Sequence, residues 1–291
     1  MRRLLSDRWA VAGAVVAIAF VLMAVFAPAL TAITHNDPYT YDIPALNPSG
    51  VPLGHFGGVS GKHWLGVEPA TGRDLFAIVA YGARTSLLVG LGATVLSVVI
   101  GTTLGVIAGY RGGIVDTLLS RFTDLMIAFP SLIFMIALGA LVPSSFPKQL
   151  FMILVIGVFG WPQMARVTRG QTIALRGRTF VVASEAIGAR PGHVLRTGIL
   201  PNLASTVTVI ATMSIPAAIT TEAALSFLGI GVPPPTPSWG RAISSAISWV
   251  NVDPWYLIAP GGALFLVTLA LNAFGDGLRD AFDPRLGGGR P

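Results

Sequence analysis

Few residues in this 291-residue chain could make or break bonds, and their placement points away from catalysis. Cysteine is absent, which removes disulfides, cysteine-ligated zinc, iron–sulfur clusters and thiol nucleophiles. The four histidines, His35, His55, His63 and His193, all fall outside the apolar runs, and no two stand at the i,i+4 spacing of a helical metal pair. No metal site is expected. The nearest approach to a phosphate-binding loop ends in Gly61-Lys62. It has Phe56 where the first glycine belongs and His63 where Ser or Thr should hold Mg²⁺. No nucleotide site is read from it.

Acids within apolar runs are the next candidates, because a charge at membrane depth is costly and tends to be functional. Glu222 is the main one, with Thr208, Ser214 and Thr221 before it and Pro216 as a kink between them. Together they are a possible polar wall of a solute path. The alternative is an interfacial glutamate near the outer headgroups, paired locally. Its distance from the start of its helix favours that alternative at about 1.5 Å of rise per residue. Asp124 is expected to pair with Arg121, three positions before it.

The remaining unusual chemistry is a loop, Val182 to Asn202, reading VASEAIGARPGHVLRTGILPN between two long apolar runs. Thr179 to Ile187 can form a short helix that Gly188 breaks. Pro191 suits the first turn of a second short helix carrying His193 to Arg196. Pro201 is expected to end that helix and start the turn into the next span. Val194, Leu195 and Ile199 could bury against lipid, against the chain's own spans or against a soluble partner. The residues alone leave two readings open: a docking element for a partner, or an amphipathic surface helix whose arginines set topology and touch anionic lipid.

These residues must be positioned by a membrane scaffold. The hydrophobic fraction is 53% and the charged fraction 11%, against about 25% charged in soluble domains. The net charge of +6 is scattered between apolar runs, so no basic domain for nucleic acid is expected. Six stretches approach the ~20 residues of a transmembrane helix: Trp9 to Ile33, Thr85 to Ala108, Phe122 to Leu141, Leu150 to Ala165, Ala204 to Leu228 and Trp255 to Phe274. The fourth is the shortest. With the N-terminus in the cytoplasm, 14 of the basic residues lie inside and 5 outside, so both termini are placed inside. Arg2 and Arg3 with Ala27-Pro28-Ala29 resemble a signal peptide, but the apolar run is long enough for an uncleaved anchor. Gly72 to Tyr81 is read as an interfacial helix closing a long external segment. Gly229 to Pro254 forms a second external loop stiffened by Pro233-Pro234-Pro235. Gly101, Gly105 and Gly109 lie on one face of the second span, a double G-x-x-x-G expected to pack helices closely within the chain. The expected organisation is an anchor and external segment (1–84), a transmembrane core (85–276) containing the 166–203 loop, and a tail (277–291).

Gly188 followed by Ile199-Leu200-Pro201 resembles the EAA loop of ABC importer permeases. Val182-Ala183-Ser184 stands where that family commonly has Glu-Ala-Ala, so the glutamate's contacts do not carry over and Glu185 is not its equivalent. The resemblance extends to His63-Trp64-Leu65-Gly66, Tyr81-Gly82-Ala83-Arg84-Thr85-Ser86-Leu87, Glu222 to Gly229, Pro237-Ser238-Trp239-Gly240, and the tail through Asp283-Pro284-Arg285. Together these resemble the C-type subunit of dipeptide and oligopeptide importers. The resemblance implies an all-α, six-span, type I importer permease in the inner membrane. It implies a peptide substrate, a homologous B-type permease, ABC ATPase subunits that bind ATP and Mg, and an extracytoplasmic binding protein. Ala183, Gly188, Ile199, Leu200 and Pro201 carry over from it directly, and with Ala189, Arg190 and Leu195 beside them in the loop they are the candidate coupling residues. The resemblance implies no catalytic residue and no cofactor in this chain. Two rival functions remain open to the residues. An ion-driven secondary transporter would need midplane ion sites. An intramembrane hydrolase would need a paired nucleophile and base.

Overall fold

The computed structural model describes residues 7–143 and 145–282. Arg2, Arg3 and Asp283-Pro284-Arg285 lie outside the described residues. The described chain is helical, with two isolated bridges, Leu46 to Pro52 and Val67 to Asp74, as its only extended pairing.

Helix α1 (Arg8–Val25) starts where the Asp7 carboxylate accepts the N–H groups of Trp9 and Ala10 at 2.9 and 3.4 Å. The first span is not one helix to Ile33. It breaks at Phe26, and α2 (Ala27–Thr34) restarts with Pro28 in its first turn. Helix α3 (Leu75–Arg111) begins where Asp74 accepts the Ala77 N–H at 2.7 Å and ends at Gly112, φ +67°. Its 37 residues extend about 55 Å at ~1.5 Å per residue, well beyond a ~30 Å hydrocarbon core. The expected interfacial helix is therefore no separate element but the first turns of the second span. Gly82, the one breaker there, is retained in the helix because Trp239 packs onto it: a Cβ would meet the indole Cδ1 at 2.7 Å.

The third span is not one helix either. It is two helices, α4 (Gly113–Ala128) and α5 (Ser131–Leu141), bent by 81° at Phe129-Pro130. Proline pushes the preceding residue out of the helical region, and Phe129 is extended at φ −79°, ψ 135°. The fourth span, shortest by hydropathy, is the 29-residue α6 (Lys148–Arg176), with half of its most apolar window buried. Its polar second half continues the helix outside the apolar run. In the loop, α7 (Thr179–Ala186) is followed by α8 (Pro191–Val194), a π-helical turn (Leu195–Ile199) and α9 (Leu200–Phe227). The expected turn at Pro201 does not exist, since Pro191 to Phe227 is one run of 37 residues. A proline ring in an α-helix clashes with the carbonyl four residues back. The π turn widens the coil there, with Leu200 N–H bonding to Leu195 O.

Helix α10 (Trp239–Ala246) and α11 (Trp255–Phe282) complete the fold. One core joins α3, α5, α6 and α9 around Val89, Met152 and Leu225. A second joins α1, α3, α9, α10 and α11 around Leu87, Ile219 and Trp239. Trp239 is fully buried and its indole N–H donates to Val79 O at 2.9 Å.

Candidate functional site

The glycine face of α3 lies directly on α6. A Cβ at Gly101 would meet Trp161 O at 2.6 Å, at Gly105 it would meet Thr168 Oγ1 at 2.0 Å, and at Gly109 it would meet Arg169 O at 2.7 Å. Close approach lets polar groups bond across the pair. Ser97 donates to Gly157 O at 2.9 Å, and Thr168 reaches Gly101 O at 3.3 Å. These glycines thus set the α3–α6 distance.

At the loop end of this pair, α7 terminates in two reciprocal bonds. Gly188 N–H reaches Glu185 O and Ala189 N–H reaches Ser184 O, both at 3.0 Å. This is a Schellman closure, with Gly188 left-handed at φ +85°. Nothing lies within 4 Å of a Cβ built there, so backbone conformation and not space demands glycine. Arg190 is extended before Pro191, as a residue preceding proline should be.

The loop has two unlike faces. Val181, Val194, Ile199 and Leu203 are buried with Val106 of α3 in one cluster, and Ala189 and Leu195 pack half-buried against it. Ile199 is fully buried, so it touches only its own chain. Ala183, Gly188, Arg190, Leu200 and Pro201 are exposed. The sequence reading missed Ile187, which is 86% exposed beside the glycine break, and Val182 is also exposed. An isoleucine ending a surface helix just before its terminating glycine was the available signal. Glu185 accepts from the Tyr110 hydroxyl at 3.0 Å, tying α7 back to the end of α3.

A cavity of about 980 Å³ opens among α3, α5, α6, α9 and α11. Ser214 and Thr221 lie on its wall, and Thr208 and Glu222 do not. Glu222 is neither on that wall nor exposed at a headgroup surface. It is fully buried, accepting hydrogen bonds from Ser86 of α3, from Ser226 at 2.7 Å and from Ser238 at 3.3 Å. A buried carboxylate needs such donors to offset lost hydration. Here they join α3, α9 and the start of α10. Gln163 and Asn272, uncharged and marked by no motif in the sequence, are exposed on the cavity wall. Asp124 pairs not with Arg121 but with Arg166 of α6 at 3.0 Å, and Asp116 makes a second, two-point pair with Arg169.

The segment with the partial phosphate-loop pattern is a latch instead. His63 bridges Asp74 at 2.8 Å and Asp42 at 3.1 Å, while Lys62 pairs with Asp42 and Asn36 bonds to Asp74. The bonds from Lys62 and His63 hold the Asp42 carboxyl below its ordinary range. Burial pushes the Glu68 carboxyl up, but bonds from Arg73, Thr71 and Tyr256 together hold it below its ordinary value. Among the described residues no group of three or more His, Asp or Glu is placed to hold a metal.

Known proteins with similar sequences place this geometry in a family. Residues 101–288 match the family described as binding-protein-dependent transport system inner membrane component, and residues 1–49 match the N-terminal transmembrane domain of oligopeptide transport permease C. The dipeptide transport system permease protein DppC of Alkalihalophilus pseudofirmus is 38% identical, covering 98% of this chain and 88% of that protein. The oligopeptide transport system permease protein OppC of Bacillus subtilis is 37% identical over the same shares. The fold resembles a chain of the MetNI methionine ABC transporter in an inward-facing conformation, with a TM-score of 0.54 at 18% identity, covering 71% of this chain and 97% of that one. The chain therefore belongs to the binding-protein-dependent inner-membrane permeases, as a multi-pass member that carries the N-terminal segment of the oligopeptide permease C type.

Proposed function

We propose that this chain forms one half of the path of an ATP-driven peptide importer and couples that path to ATPase subunits through α7 and α8. The observation that carries the proposal is the continuity of residues 191–227. One end of this run packs under the exposed α7 surface, and further along it lines the cavity. A displacement imposed on the loop is transmitted along one helical run to the wall, because packed helices shift as bodies and do not deform continuously.

In this reading a homologous permease subunit supplies the other half of the path. ABC ATPases bind ATP and Mg and engage the loop, and an extracytoplasmic binding protein delivers the substrate. The termini lie in the cytoplasm, following the distribution of arginine and lysine. The peptide class comes from the relatives named for dipeptides and oligopeptides.

The test is uptake and ATP hydrolysis by the assembled complex in proteoliposomes. Gly188→Leu forces a branched side chain into the left-handed region, at about 1–2 kcal/mol, and dismantles the α7 terminus. Uptake is expected to fall at least ~10-fold while the subunit stays in the membrane and ATP hydrolysis continues. Normal uptake in this variant counts against coupling through the loop. Arg190→Glu is expected to weaken ATPase association, since Arg190 is exposed next to the break. Unchanged co-purification of the ATPase sinks that assignment.

A further inference from the structure

The wall of the cavity carries polar side chains and no charge: Asp, Glu, Lys, Arg and His are all missing from its described lining. The nearest acid in sequence, Glu222, adjoins Thr221 of the wall but is turned away and enclosed by three serines. Most wall hydroxyls have already spent their protons. Thr94 donates to Gly90 O at 2.8 Å, Ser214 to Ile210 O at 2.8 Å, Thr220 to Pro216 O at 2.9 Å and Thr221 to Ala217 O at 2.8 Å. Such hydroxyls present lone pairs and no free proton to the cavity. Ser97 likewise donates to Gly157 O, and the Thr268 hydroxyl is unbonded but buried. Gln163 of α6 and Asn272 of α11 differ, because each is exposed and carries an amide with two donors and an acceptor.

We infer that Gln163 and Asn272 are the solute-contacting residues of this half-path. They exchange hydrogen bonds with the backbone amides of a passing peptide, on a wall kept neutral so that side-chain charge is not selected. The inference rests on the reading of the cavity as a peptide path. Its physical ground is that conduction needs binding strong enough to admit a solute and weak enough to release it. A free peptide has a positive and a negative end. A fixed charge in a low-dielectric cavity would hold one end and repel the other, by an energy that falls only as the inverse of distance. Neutral amides offer the peptide group a matching donor and acceptor without that trap.

The test uses the complete complex in proteoliposomes, with binding protein saturated by each of three probes: Ala-Ala-Ala, Ala-Lys-Ala and Ala-Asp-Ala. Expected for the natural chain are maximal ATP-driven uptake rates within about 3-fold of one another. Gln163→Glu and Asn272→Asp are expected to shift the Ala-Lys-Ala to Ala-Asp-Ala rate ratio by about 10-fold. Glu222→Gln, which alters a sequestered group, is expected to leave that ratio unchanged. Gln163→Leu combined with Asn272→Leu is expected to slow all three probes alike, with ATPase assembly intact on size-exclusion chromatography. If the two acidic variants transport all three probes with the natural ratio, the inference is overturned while the importer reading stands. If the natural complex moves none of the probes in an ATP-dependent way, both fall.

Discussion

The α3–α6 pair and the α4–α5 pair both carry long apolar stretches, yet one is interlocked along its backbone and the other, apart from Met135 and Gly139 of α5, is left outward-facing. Helix α3 buries Gly101, Gly105 and Gly109 against α6 backbone, with polar bonds across the contact. Helices α4 and α5 bury little of themselves: Thr123 in the first, Met135 and Gly139 in the second. Ile114, Leu118, Leu125, Ile133 and Leu141 stay exposed. In a bilayer there is no hydrophobic drive to press one helix on another, so small residues that permit backbone contact decide which helices interlock. Helix α4 has no such glycine face, and it meets α6 through two ion pairs at partly exposed positions, Asp116 to Arg169 and Asp124 to Arg166, and through Phe122 stacked on Trp161 with ring centroids 5.6 Å apart. One region is a close-packed frame. The other is a more lightly tethered, bent segment with an exposed apolar face.

Breaking the frame is expected to have the largest effect. Gly105→Leu would place its Cβ 2.5 Å from Ala165 O, a backbone atom that cannot turn aside. Overpacking of this kind costs roughly 3 kcal/mol or more. The subunit is expected to melt early in detergent and to fall in membrane abundance, as measured by thermal shift and quantitative blotting. An unchanged melting profile would mean that α3 and α6 are not so closely joined.

A smaller effect is expected in the tethered region. Asp116→Asn removes one ion pair at a partly exposed site, worth less than ~1 kcal/mol. Thermal stability should barely change, while hydrogen exchange along α4 should rise. Equal protection of α4 in both proteins would show that something other than the pair holds it.

The smallest effect is expected from pH at the anchor of the N-terminal end of α3. Glu68 faces Arg73, Tyr256 and, nearby, Arg241, and its carboxyl is held below the ordinary range. A carboxyl depressed on folding gives stability that is full above its unfolded pKa and is lost as pH falls through the folded one. Acidification below the ordinary carboxylate range should therefore loosen the segment leading into α3, read as faster exchange at residues 66–76. The α3–α6 contact around Gly101 contains no such group and should keep its protection, while the Gly109 end borders Arg169, which is paired with the Asp116 carboxylate. Loosening of both together would erase the distinction between anchor and frame.

Much of this architecture was legible because it rests on short-range rules. Gly188 had to break a helix, since only glycine takes its left-handed conformation cheaply, and the alignment of Gly101, Gly105 and Gly109 follows from helical pitch. The bend at Pro130 and the run through Pro201 follow from equally local chemistry. Their outcomes were not legible, because a proline within an apolar stretch can either break a helix or be absorbed in a widened turn, and neighbouring contacts choose.

The sequence by itself determined a polytopic helical membrane chain, the approximate positions of its spans, the close-packing face of the second and the break in the loop. Tertiary structure alone decided that Glu222 is enclosed by Ser86, Ser226 and Ser238. It also paired Asp124 with Arg166, 42 positions away, buried Ile199 while exposing Ile187, and aimed Gln163 and Asn272 into one cavity. The physical reason is one of range. Backbone conformation and helical periodicity are set within a few residues, whereas burial and hydrogen-bond partnership depend on which helix faces meet, and distant segments settle that together.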